Sequence, residues 1–282
     1  MTWLQSVPVV PLCAGMAALY WGAVRRHNAA HPRRPVPPSR VAAFVTGVAV
    51  IGAALAGPFD RYAGMFFSFH MVQHLLLTLV AAPLVLLGAP VLVVRSAGPP
   101  ALRRVLTRAV RGPVIRAAQF PLAAWGLFAA VLWGSHYSGL FEAALEFPAV
   151  HVLEHLLYLG AALLFWFPVV GAEPSHWRLS HPARLLYLFA AAPLNAFLAL
   201  SLYQSARVLY PHYEILARLA GRSALADQQA GGAVMWIFGG LVMLVSIIGV
   251  AASWARHDAE TARRLDARYD AEIARALDSG PR

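Results

Sequence analysis

Long apolar runs separated by short, arginine-bearing polar stretches dominate the chain from its first residues to about position 255. A helix that crosses about 30 Å of hydrocarbon at about 1.5 Å per residue needs roughly 20 largely apolar residues. Seven segments meet that requirement, at 4–24, 40–57, 66–94, 117–134, 147–170, 183–204 and 232–254. The second is short. The third is long enough to tilt, or to bend at Pro83, because a proline inside a helix removes one backbone hydrogen bond and crowds the preceding turn. The pattern predicts an all-α polytopic membrane protein, a seven-transmembrane-helix bundle over 1–255 with a charged tail at 256–282. No internal repeat and no separate soluble domain interrupts it.

Composition agrees with that reading and excludes others. Of 282 residues, 59% are hydrophobic and 13% charged, too apolar for a soluble domain or a disordered chain. All 23 cationic residues are arginine, against 13 acids, for a formal charge of +10. Their placement is one-sided. Nineteen fall in 25–40, 95–116, 171–184 and the tail, whereas Arg61, Arg207, Arg218 and Arg222 fall on the other side. The positive-inside rule then sets the N-terminus outside and the C-terminus in the cytoplasm, and an odd number of spans requires those opposite ends. The basic excess is thus a signal of topology, and no nucleic-acid partner is implied. Residues 101–116 alternate arginine with Leu, Val and Ile as a helix lying on anionic lipid headgroups would. The tail mixes acids and arginines at three- and four-residue spacings that favour a solvated helix. Residues 205–231 form the longest outer loop, with a short helix expected over the bundle's outer mouth. The lone Cys13 excludes an internal disulfide or a paired-cysteine metal site. The start, MTWLQSVPVV, lacks a basic leader region and an A-x-A cleavage site, so the first run is expected to be retained.

Four of the eleven histidines stand inside predicted spans at a regular spacing. His70 and His74 lie in FFSFHMVQHLLL, and His151 and His155 in FPAVHVLEHLLY, each pair at i, i+4 and so on one helix face. Both helices run from outside to inside in the predicted topology. Counted from Phe66 and Phe147, the first histidine of each pair lies roughly 6 Å and the second roughly 12 Å below the outer end. Ionisable side chains inside a membrane are costly and face the bundle interior, where they mark function. Two helices that each offer two imidazole nitrogens supply most of a four-coordinate metal site, and imidazole suits Cu, Zn, Fe and Ni.

Other side chains lie at similar depth. Met65 precedes the third span and Met235 begins the seventh, and thioethers favour Cu(I). Asp60, Glu154 and Asp227 are placed to accept an imidazole N–H behind the ligands, although Glu154 points about 100° around its helix from His155. HVLEH also reads as the inverted zinc-peptidase pattern, but an apolar span denies a peptide access to it. A b-type haem held axially by histidines from two helices is the rival cofactor, and a metal-free scaffold for other subunits is the third possibility. A copper permeation path is disfavoured, because the inner halves of the spans carry neither His nor acid; the site is expected to be a cup open to the outside.

At these residues the chain resembles the membrane-embedded cytochrome c oxidase assembly factors of the CtaG family, caa(3)-oxidase type. The resemblance rests on FSFHMVQHLLL at 67–77, APLVLLGAP at 82–90, HVLEHLLYLGAALLFWFPVVG at 151–171 and DQQAGGAVMWIFGG at 227–240, and it covers roughly residues 40–255. It implies a non-enzymatic factor in the bacterial inner membrane that matures a haem-copper oxidase by supplying or holding copper on the outer face. Its implied partners are oxidase subunits and an extracytoplasmic copper donor. It points to His70, His74, His151 and His155 as ligands and draws attention to Asp227, Gln228 and Met235. One departure is Asn195, where relatives are expected to carry histidine.

Overall fold

A computed structural model describes residues 8–173, 177–219, 221 and 223–278. Residues 4–7 of the first predicted span, Arg222, and the tail beyond Asp278 with Arg282 lie outside the described residues. Among the described residues the chain is helical with no strand. Its elements are α1 (Val9–Ala30), α2 (Pro38–Leu55), α3 (Pro58–Ala63), α4 (Phe67–Leu75), a π turn (Leu76–Ala81), α5 (Ala82–Leu87), α6 (Pro90–Ala97), α7 (Pro100–Arg111), α8 (Pro113–Ala118), α9 (Pro121–Tyr137), α10 (Leu140–Glu146), α11 (Pro148–Val170), α12 (His181–Tyr203), α13 (Pro211–Leu219) and α14 (Ala224–Asp278).

Five helical segments are long and apolar enough to cross a membrane: Pro38–Leu55, Phe67–Ala97, Pro148–Val170, His181–Tyr203 and Ala224–Ile273. The other two expected spans are helices in the expected places but fall short of that standard. α1 carries Arg25 and Arg26 in its last two turns. α9 has 17 residues, about 26 Å of helix, slightly less than the hydrocarbon thickness.

Proline and glycine set most boundaries. Pro148 occupies the first turn of α11, where its missing N–H costs nothing, and Gly171 ends that helix in the left-handed conformation at φ 60°. The third expected span is not one helix. Pro83 cannot donate to the carbonyl one turn back, and the turn before it widens so that the Ala82 N–H bonds the Leu77 carbonyl, five residues back. The Thr78 carbonyl, freed by that shift, accepts the indole N–H of Trp166 from α11 at 2.8 Å. The span breaks again at Ala89, whose φ of 48° turns the chain into α6. α6 begins on Glu173, whose carboxylate accepts the Val91 and Leu92 amides at 2.7 and 2.9 Å.

Two hydrophobic cores fill the bundle. Tyr20, Val24, Phe44, Val48 and Ile51 of α1 and α2 pack on Leu77, Ala81 and Val85. The larger core joins α4, α9, α11, α12 and α14 through Phe67, Met71, Phe128, Phe165, Leu198 and Met235. α12 and α14 approach until backbone nearly touches backbone: a Cβ at Gly232 would lie 2.6 Å from the Tyr203 nitrogen and 2.8 Å from the Ala199 carbonyl. Only glycine permits that contact.

The surface helices match the sequence in kind and differ in extent. The amphipathic 101–116 stretch forms α7 and α8, broken at Gly112. Residues 205–231 contain α13, a short helix as expected, but α14 begins at Ala224, eight residues before the predicted span. The tail is not a separate element. α14 runs unbroken for 55 residues, about 83 Å, and so extends well past any bilayer. No proline or helix-ending glycine interrupts 251–278, and pairs such as Glu260 and Arg264, 3.9 Å apart, line its exposed face.

Candidate metal centre

α4 and α11 lie side by side in register, and their histidines meet rung by rung. The ring centroids of His70 and His151 are 5.5 Å apart, and those of His74 and His155 are 5.6 Å apart. Within each helix the one-turn spacing stacks the rings at 4.5 Å (His70, His74) and 4.3 Å (His151, His155). Glu154 stands among them, fully buried, with one carboxylate oxygen 3.6 Å from His70 Nε2 and 3.9 Å from His74 Nε2. Two overlapping sets have ligand atoms mutually within 4.8 Å: His70, His74 and His155, and His70, His151 and Glu154.

The cluster leaves its lone pairs unspent. His70 Nε2, both nitrogens of His74, His151 Nε2, His155 Nε2 and both Glu154 oxygens are buried without a hydrogen-bond partner. Buried polar atoms are ordinarily satisfied, and so many unmatched polar atoms in one place are costly unless something binds them. Neutral imidazoles with a carboxylate form a donor set suited to a first-row divalent ion or to copper. These residues therefore fit a metal.

Surrounding groups fix these side chains. The Tyr213 hydroxyl of α13 donates to the Ala63 carbonyl at 3.0 Å and accepts from His70 Nδ1 at 3.1 Å. That bond places the ring proton on Nδ1 and turns the Nε2 lone pair toward Glu154, as an imidazole ligand requires. Burial, followed by the Glu154 charge, pushes the Tyr213 hydroxyl well above the ordinary tyrosine range, so it remains a phenol. Thr78 caps the His74 carbonyl at 2.7 Å. Gln73 donates to the Ala54 carbonyl at 2.8 Å and to Asp60 at 3.4 Å.

The site is not an open cup. Phe67, Phe141, Tyr210 and Tyr213 roof it, with Phe141 4.9 Å from His70, Phe67 stacked on Tyr210 at 4.9 Å and Tyr213 edge-on to Phe67 at 5.9 Å. Phe141 comes from the short helix α10, Tyr213 from α13 and Tyr210 from the residue just before α13. A cleft of about 310 Å³ between α9 and α11 instead reaches Glu154, past Gly134, Ser135, Leu157 and Tyr158.

Other candidates have different places. Asp227 and Gln228 are backbone clamps: Asp227 accepts the Ser68 amide at 3.3 Å and the Ser68 hydroxyl at 2.5 Å, fixing the first turn of α4. Gln228 accepts the Leu209 amide at 2.7 Å and donates to the Arg207 carbonyl at 3.2 Å. Asp60 sits behind Gln73, and Met65 lies in the turn before α4, outside both ligand sets. Met235 and Asn195 line a separate small cavity beside His74. Asn195 donates to the Met235 carbonyl at 3.0 Å, in space that a Cβ at Gly239 would occupy. His136, which the sequence left unassigned, is buried at the same end of α9, with Nε2 3.5 Å from Met71 Sδ.

Comparison with known proteins bears on this arrangement. The family model described as cytochrome c oxidase caa3 assembly factor (Caa3_CtaG) matches residues 18–257, which include every histidine and the glutamate of the cluster. An uncharacterized protein of Mycobacterium bovis is 29% identical over 91% of this chain, and one of Mycobacterium leprae is 26% identical over 82% of it. The chain spans 39% and 36% of the length of these two relatives. No solved structure matches the chain.

Proposed function

Because the chain belongs to the cytochrome c oxidase caa3 assembly factor family, we propose that it binds copper through His70, His74, His151, His155 and Glu154 and holds or delivers it while a haem-copper oxidase matures. The observation that carries this reading is the convergence of unpartnered imidazole nitrogens on one buried carboxylate. A copper ion bound there would supply charge compensation for Glu154 and bonds for the idle lone pairs, and its release would be the useful event. The residues around it orient ligands and exclude water rather than perform turnover chemistry. The five rings and chains pack directly on one another, which favours a single ion over a flat b-type haem that must be sandwiched between two separated imidazoles.

The topology that suits this role has α1 and α9 crossing with the five more apolar segments, giving seven spans of a bacterial inner membrane, N-terminus outside. The arginine asymmetry supports it: the α6–α8 region and the distal half of α14 are rich in arginine, whereas the loops over the histidines hold few arginines. The cluster then lies in the outer leaflet, where an extracytoplasmic copper donor and oxidase subunits can meet it.

The test is complementation. A bacterial strain lacking its own copy, given the wild-type gene, should recover oxidase activity and the oxidase's copper content; the same strain given His70→Ala with His155→Ala should recover neither, although the variant reaches the membrane in equal amount. Full recovery by that variant would refute the site.

A further inference from the structure

Beside the histidine cluster lies a second constellation, of different chemistry. A cavity of about 20 Å³ between α4, α9, α11, α12 and α14 is lined by three of the chain's methionines, Met71, Met235 and Met243, with His136 and His74. Met71, His136 and Met235 are all buried. His136 Nδ1 lies 2.8 Å from the Leu132 carbonyl, which can only accept, so Nδ1 carries the proton. In the neutral ring Nε2 then offers a lone pair, and it faces Met71 Sδ at 3.5 Å. Two lone-pair donors thus confront each other in an apolar cavity. For a first-row ion with N and S bonds of about 2.0 and 2.3 Å meeting near the tetrahedral angle, the two ligand atoms lie about 3.5 Å apart.

The geometry points to a second metal site, for a soft monovalent cation of the Cu(I) class, formed by Met71 Sδ, His136 Nε2 and Met235 Sδ. Thioethers bind Cu(I) and discriminate against harder divalent ions, whereas the imidazole and carboxylate cluster does not. His74 belongs to both surroundings: its Nε2 is 3.9 Å from Glu154, and its ring forms part of the cavity wall. The width of a single side chain therefore separates the two stations. Met243, two helical turns beyond Met235 and about 12 Å along α14, extends the sulfur-lined wall toward the bundle's middle.

The experiment uses purified full-length protein in detergent and Ag(I) alone, a soft monovalent ion that does not change oxidation state. Silver K-edge absorption is recorded on protein with ordinary methionine and on protein grown with selenomethionine. The expected result is one tightly bound silver with sulfur neighbours that become selenium neighbours on labelling, without any substitution to disturb the fold. In Met71→Leu with Met235→Leu, silver affinity should fall at least tenfold while Zn(II) binding stays within twofold of wild type. In Glu154→Gln with His155→Ala, Zn(II) binding should be lost and the sulfur-bound silver retained. Silver with nitrogen neighbours only, silver binding unchanged by the double leucine variant, or joint loss of silver and zinc in that variant would each overturn the second site. Sulfur-bound silver in a protein that binds no Zn(II) or Cu(II) would instead uphold it while overturning the histidine cluster as a metal centre.

Discussion

Removing one hydroxyl, in Tyr213→Phe, should loosen both the fold and the metal centre. The phenyl ring keeps its edge-on contact with Phe67, so packing is conserved. What is lost is a pair of hydrogen bonds that join α13 to α3 and to α4, and the two groups stranded by the change, His70 Nδ1–H and the Ala63 carbonyl, belong to residues with no exposed surface. Each buried group left unmatched costs about 1–3 kcal/mol, so a combined loss of about 2–6 kcal/mol is expected. At roughly 2–4 °C per kcal/mol for a chain of this size, the melting midpoint should fall by about 4–24 °C. The same hydroxyl fixes the His70 tautomer, and loss of such support lowers metal affinity by about 10–100-fold. Differential scanning fluorimetry and a Zn(II) titration on the same detergent-solubilised sample read both effects. A variant that melts within 1 °C or so of wild type and binds Zn(II) equally well would show that Tyr213 neither braces the roof nor orients His70.

Four further outcomes are expected. Gly232→Ala should destabilise by about 1–3 kcal/mol, because the new methyl has only Tyr203 and Ala199 backbone to push against; a thermal melt checks it. Asp227→Ala should cost about 1–2 kcal/mol by freeing the Ser68 amide at the start of α4, and hydrogen exchange at 67–70 should rise more than elsewhere. Trp166→Phe strands the Thr78 carbonyl within the π turn and should cost about 1–3 kcal/mol in the same melt, with Zn(II) affinity reduced through the displaced His74. Glu173 gives a pH dependence. Burial raises its carboxyl above the ordinary range, so between the unfolded and folded values the native state holds the extra proton and stability falls as pH rises. Melts across that window should flatten in Glu173→Gln, and an unchanged slope would remove Glu173 as the source.

The histidine pairs were legible because the 3.6-residue period makes i, i+4 a face and because histidine has no bland reason to enter an apolar span. Glu154 was under-read: its 100° offset from His155 suggested another face, yet three residues from His151 is an offset of only about 60°, and a glutamate side chain reaches across that. The third span read as one helix because hydropathy does not register hydrogen bonding; Pro83 signalled a disturbance but not that a π turn would absorb it and hand a carbonyl to Trp166. The DQQAGG block gave no hint in sequence of its packing role: its acid and amides hold backbone, Gly231 admits Phe67 of α4 and Gly232 admits the backbone of α12. Met71 and His136 carried no signal, since a methionine and a helix-end histidine in apolar sequence read as packing until the fold sets them 3.5 Å apart. The roof of Phe141, Tyr210 and Tyr213 was equally hidden, because its members are far apart in sequence and meet only through short helices.

The metal content of the purified protein tests the central claim most directly. Elemental analysis with an absorption spectrum should give near-stoichiometric copper for wild type after growth with copper, no Soret band, and loss of that copper in the His70→Ala, His155→Ala variant at unchanged helicity. Copper retained in full by the variant, a Soret band in wild type, or a wild-type protein that takes up no metal under any loading would contradict it.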